Sequence, residues 1–79
     1  MSPTIFRAGG LRFYFFSREE RRLHVHAQGA RGEAKFWLEP EVELAEDYGL
    51  GPQMVHRALR LIREREDEIR AAWREHFGR

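Results

Sequence analysis

There is no cysteine among the 79 residues. That excludes a disulfide framework, a thiolate nucleophile and a thiolate-ligated metal, and it fits a reducing compartment. Lysine is nearly absent as well: Lys35 stands against 13 arginines. Arginine suits planar, bidentate contacts to phosphate or carboxylate. An excess of charge of either sign is also missing. The formal net charge is +1, so bulk charge does not argue for nucleic acid. No apolar run approaches the roughly 18 residues of a membrane span. The start, Met1-Ser2-Pro3-Thr4, lacks the charged-then-apolar order of a signal peptide. The expectation is a cytoplasmic protein that does not enter a membrane.

What is present reads as one domain over residues 1–79. A core this small supplies only a few kcal/mol, so a stable protein partner or self-association into a homodimer is expected. Ile5-Phe6-Arg7, Ala8-Gly9-Gly10 and Leu11 to Phe16 read as a β-hairpin, because Gly-Gly supplies the positive φ angles of a two-residue turn. With that turn, Ala8 faces Leu11, Arg7 faces Arg12 and Phe6 faces Phe13. Leu11, Phe13 and Phe15 then share one face with Phe6. Arg7, Arg12, Tyr14 and Phe16 share the other. Two opposed arginines repel mildly, which an anion or carboxylate lying over them would offset. Ser17 to Arg22 is a charged run and reads as a solvated loop.

Leu23 to Gln28 alternates, with Val25 and Ala27 on one side and His24, His26 and Gln28 on the other. Gly29-Ala30-Arg31-Gly32 reads as a turn. Glu33 to Leu38 alternates again, with Ala34, Phe36 and Leu38 apolar and Glu33, Lys35 and Trp37 opposite them. A four-residue loop pairs Gln28 with Glu33, His26 with Lys35, Val25 with Phe36 and His24 with Trp37. Both apolar sets then fall on one face, as a hairpin requires. Pro40 ends or bends that strand. Val42 and Leu44 alternate with Glu41 and Glu43, which suggests a short edge strand, and Glu46 to Gly51 reads as a connector.

Pro52 suits a first helical turn. From there to Phe77 the period changes to 3.6, and Val55, Ala58, Leu59, Ile62, Ile69, Trp73 and Phe77 form one stripe. Glu66 falls within the stripe. Either the helix breaks near Glu64 to Asp67 or Glu66 reaches a basic partner; one long helix with an irregularity there is the expectation. Gly78 fits its end. The fold class is therefore α+β: a small antiparallel sheet, made of two hairpins and a short edge strand, with a long C-terminal helix packed on one face.

The other face would carry Arg7, Arg12, Tyr14, His24, His26, Lys35 and Trp37. Metal-free cleavage of RNA needs a base, an acid and cations for the phosphorane. Histidine as a residue type suits the first two tasks, which makes His24 and His26 the candidates. Arg12 and Lys35 could supply the third, and Trp37 or Tyr14 could stack a base. His-x-His on a strand also suits a shared metal ion. A third ligand is then wanted, and Glu33, Glu39 and His56 are not placed by the sequence, while Lys35 lies opposite His26. No metal or cofactor is therefore assigned. Equally, Trp, Tyr and Arg are the anchors of protein interfaces, and a solvated strand face often carries histidine. His56 and His76 fall on the helix and read as surface positions.

Several stretches together resemble a known family. They are Pro3-Thr4-Ile5-Phe6-Arg7, Gly10-Leu11-Arg12-Phe13-Tyr14-Phe15-Phe16-Ser17, His24-Val25-His26, Glu33-Ala34-Lys35-Phe36-Trp37-Leu38-Glu39-Pro40, Tyr48-Gly49-Leu50 and Ala72-Trp73-Arg74-Glu75-His76-Phe77. In order and type they resemble the DUF4160 family of small prokaryotic proteins. That family often has a proline-rich segment before its His-Val-His; here the place is taken by Glu20-Arg21-Arg22-Leu23. The resemblance implies one half of a two-protein, toxin–antitoxin-type module, often encoded beside a DUF2442 protein. The chain would bind its partner and RNA through the sheet face, with His24 and His26 as candidate acid and base. The alternative is a non-catalytic interaction domain, antitoxin-like or an adaptor.

Overall fold

The computed structural model describes residues 4–15 and 21–78. Five antiparallel strands form one open meander in the order β1 (Thr4–Ala8), β2 (Leu11–Tyr14), β3 (His24–Gln28), β4 (Glu33–Trp37) and β5 (Glu43–Tyr48). Two helices follow, α1 (Pro52–Glu64) and α2 (Glu66–Phe77). No helix among the described residues is long and apolar enough to cross a membrane.

Both hairpin registers agree with the reading from sequence. Gly9 and Gly10 take φ of 61° and 80° at the first turn, and Ala8, Arg7 and Phe6 face Leu11, Arg12 and Phe13. A bulge then sets Thr4 opposite Tyr14. In the second hairpin, Gln28, His26, Val25 and His24 face Glu33, Lys35, Phe36 and Trp37. Gly32 has its own requirement: a Cβ there would sit 2.6 Å from the backbone at Tyr48 and Gly49, so only glycine lets the turn close against the end of β5. The expected placement of Phe16, and most of the Ser17–Arg22 loop, fall outside the described residues.

The apolar face and the helices close a single core. Phe13, Val25, Ala27, Ala34, Phe36 and Leu38 are fully buried against Ala58, Ile62 and Ile69. The stripe read from the sequence faces inward, and Leu61 and Leu50 join it. Phe6 stacks on Phe13 with centroids 4.6 Å apart, and the Arg65 guanidinium covers the Phe6 ring at 4.0 Å.

Two expectations are corrected. The single long helix is two helices. Arg65, at φ −119° and ψ 27°, breaks the run, although its N–H still donates to the Leu61 carbonyl at 3.0 Å. The reason is size. Residues 52–77 as one straight helix would run about 39 Å, but the longest dimension of the molecule is 32 Å. The break lets Ile69 and Trp73 turn back onto the sheet. Glu66, Asp67 and Glu68 then favour a fresh helix start, and Arg74 and His76 its end. Glu66 also finds a basic partner: Arg70 donates to it from Nε at 2.9 Å and reaches the Leu38 carbonyl from Nη2 at 3.2 Å. That contact, and a second to Glu39, raise the Arg70 pKa.

The last strand was expected near Val42 and Leu44. It runs instead from Glu43 to Tyr48 and takes up half of the expected connector. A bulge opposite Lys35 and Phe36 breaks its alternation, so Lys35 faces Glu46 while Phe36 faces Leu44. It is an edge strand, as expected.

Candidate functional site

The two-residue period of β3 puts His24 and His26 side by side on the face away from Val25 and Ala27. Their ring centroids are 5.3 Å apart, at an interplanar angle of 79°. Neither ring is open to solvent. His24 is 0% exposed and His26 6%, and Nε2 of each is buried. His24 Nδ1 lies 2.7 Å from the Arg22 carbonyl. A carbonyl only accepts, so Nδ1 carries the proton and donates it. The tautomer and tilt of His24 are thereby set by the backbone.

Aromatic rings enclose the pair. Tyr14 from β2 stacks on His26 at 5.3 Å and 24°. Trp37 from β4 and Trp73 from α2 meet His24 edge-on, at 5.7 and 5.3 Å. The helix therefore seals the start of β3 with an indole, and the face is closed there where an open one was expected.

Cations lie on the outer rings. Arg12 is 4.4 Å above Tyr14, and it donates from Nε to Thr4 Oγ1 at 2.7 Å and from Nη1 to Gln28 Oε1 at 3.3 Å. Arg22 and Lys35 both sit over Trp37, at 4.0 and 4.5 Å. Arg22 is further tied to the Glu39 carbonyl at 2.8 Å and lies 3.9 Å from Glu43. Each cation–π contact contributes about 0.5–1 kcal/mol at an exposed site.

Of the residues singled out from sequence, Tyr14, His24, His26 and Trp37 form one contiguous cluster, with Arg12 and Lys35 on its flanks. The cations expected to serve a phosphorane lie over Tyr14 and Trp37. Arg7 is opposite Arg12 and, with it, lines a cleft at the hairpin-tip end. The third ligands considered for a metal are scattered: Glu33 accepts from Tyr14, Glu39 pairs with Arg70, and His56 is exposed on α1. Among the described residues, no three His, Asp or Glu side chains converge on a point that could hold an ion. Sequence reasoning missed Arg22, hidden in a charged run, and Trp73, which reads as an ordinary stripe residue.

A family model described as "Domain of unknown function (DUF4160)" matches residues 10–74. The chain belongs to the DUF4160 family. No curated protein and no solved structure matches it. The matched span holds every ring of the cluster, from Tyr14 to Trp73, and leaves β1 with Arg7 outside.

The Tyr14 hydroxyl of this DUF4160 domain donates to Glu33 Oε1 at 2.5 Å. Burial first, then the hydrogen bond and charge of Glu33, raise its pKa well above the usual 10, against an opposing pull from Arg12. Tyr48 is raised too, by desolvation and by its bond to Glu46. A raised folded pKa means the folded state keeps a proton that the unfolded chain releases near pH 10. The Tyr14 contribution to stability is therefore complete below pH 10 and is lost as pH climbs past it. A phenolate absorbance titration of the folded protein should show less than the full two-tyrosine step near pH 10, because Tyr14 holds its proton there, whereas the protein in urea should show both tyrosines titrating. A full two-tyrosine step near pH 10 in the folded protein would contradict the Tyr14–Glu33 geometry.

Proposed function

We propose that this DUF4160 domain is a non-catalytic interaction module, one half of a two-protein system, which binds its partner protein through the polar sheet face. The observation that carries this reading is the burial of His24 and His26 beneath Tyr14, Trp37 and Trp73. A general acid or base must come within hydrogen-bond reach of the proton it moves, and sealed rings favour a structural role. The half-buried Trp37, held between Arg22 and Lys35, has instead the make-up of an interface anchor. Tyr14 and Arg12 extend the same surface across β2.

The partner class is that implied by the family resemblance, a small protein of the DUF2442 type. Co-expression with such a protein should yield a complex. Trp37→Ala should weaken it by about 2 kcal/mol or more, roughly thirtyfold in Kd. His26→Phe, which keeps a ring against Tyr14, should leave the affinity unchanged. Capture undiminished by Trp37→Ala would remove the face from consideration. Purified protein that cuts RNA, and loses that activity in a folded His26→Phe variant, would restore the catalytic reading of the pair.

A further inference from the structure

We infer that the hairpin-tip end of the sheet binds a single strand of nucleic acid by its phosphodiester backbone. This surface shares Arg12 with the proposed partner face and otherwise lies apart from the histidine cluster, and its test does not involve the partner protein.

Antiparallel pairing brings the Gly9–Gly10 turn and the Gly29–Gly32 turn to the same end of the sheet. Two clefts meet there and share Gly10 and Gly29 as their common wall. One, of about 540 Å³, is lined by Arg7 and Arg12 beside Ala8, Leu11 and Gln28. The other, of about 560 Å³, lies on the α1 side and presents Arg31 and Arg57 beside Leu50, Pro52 and Met54. Among the described residues, neither lining contains an acidic side chain. Each cleft therefore offers a pair of guanidinium groups next to an apolar floor, within a protein whose net charge is only +1.

The guanidiniums are partly pre-set. Arg57 donates from Nη1 to the Gly9 carbonyl at 2.9 Å, which holds it against the turn. Arg12 is fixed by Thr4 and Gln28. An arginine has five donors, and its fork matches phosphate oxygens in a bidentate manner. No side chain sits between the clefts at Gly10, where a Cβ would meet only Met54 Cε at 3.9 Å. A ligand touching all four arginines must bend over that low saddle. A duplex, with a persistence length of about 150 base pairs, resists such a bend. A single strand does not.

The test is fluorescence anisotropy of labelled oligo(U) and oligo(dT) across a salt series. Three to four neutralised phosphates predict a slope of log Kobs against log salt of about −2 to −3, at about 0.7 per phosphate for a single strand. Arg7→Gln and Arg31→Gln should each reduce the slope by about 0.7. Both side chains are exposed, so the variants should fold, which circular dichroism checks. Arg74→Gln makes the same charge change at the other end of the molecule, next to Arg21 and Glu39, and should leave the slope unaltered. Four results would overturn the inference: no binding at low salt, an equal loss in Arg74→Gln, equal binding of a duplex of the same length, or equal binding and slope with polyglutamate, which would make the surface a site for acidic peptides.

Discussion

Trp73→Ala is expected to cost about 3–5 kcal/mol of stability, the range for removing a buried large aromatic. At about 0.05–0.15 kcal/mol per residue, a chain of this length has roughly 4–12 kcal/mol in total, so the variant should lose about a quarter of its stability at the least and all of it at the low end. The size of the effect follows from position. The Trp73 indole is 5% exposed and joins parts of the chain far apart in sequence. It lies edge-on to Phe15 at 5.3 Å, packs on Phe77 at 4.3 Å and meets His24 at 5.3 Å. Its truncation opens a cavity between α2 and the start of β3 and lets water reach His24. Urea unfolding followed by circular dichroism gives the number, with Leu44→Ala as the comparison. Leu44 is 39% exposed on the edge strand, and its loss should change stability by no more than about 0.5 kcal/mol. A Trp73→Ala cost below about 1 kcal/mol, well under the range for a buried aromatic, would mean that α2 does not seal this face.

The sheet was legible in the sequence because two independent constraints agreed in each hairpin. Gly9-Gly10 fixed the first register through the φ angles it permits. In the second hairpin a four-residue turn and two period-two patterns had to put Val25, Ala27, Ala34, Phe36 and Leu38 on one face, and only one pairing does so. The edge strand was less legible, because Glu43-Leu44-Ala45-Glu46-Asp47-Tyr48 carries little apolar signal and its bulge destroys the alternation. It is held by pairing with β4, and pairing leaves no local mark in sequence. The helix break was half legible. Glu66 within an apolar stripe signalled a conflict, and the chain resolves it twice over, with the turn at Arg65 and the contact to Arg70. What the pattern could not report was the shortness of the sheet that the helix must cover.

The candidate site divides along the same line. Period two placed His24 and His26 on one face with Tyr14, Lys35 and Trp37, and the structure brings those rings together. The period says which face a side chain joins and is silent on what lies over it. Trp73 comes from the far end of the chain, and Arg22 comes from a run that reads as solvent-exposed. These two residues change the meaning of the histidines, because one seals His24 and the other fixes its tautomer through a carbonyl.

Chemical modification of the folded protein with diethylpyrocarbonate, followed by peptide mass mapping, tests that sealing most directly. The reagent acylates neutral imidazole nitrogens that it can reach. His56 and His76 lie exposed on the helices and serve as internal standards. His24 and His26 have Nε2 buried and should react only through local opening or unfolding. The expected result is acylation of His56 and His76 alone in the folded protein, and of all four histidines in denaturant. Acylation of His24 or His26 at the rate of His56 in the folded protein would show that the pair meets solvent, and would contradict a structural role for it.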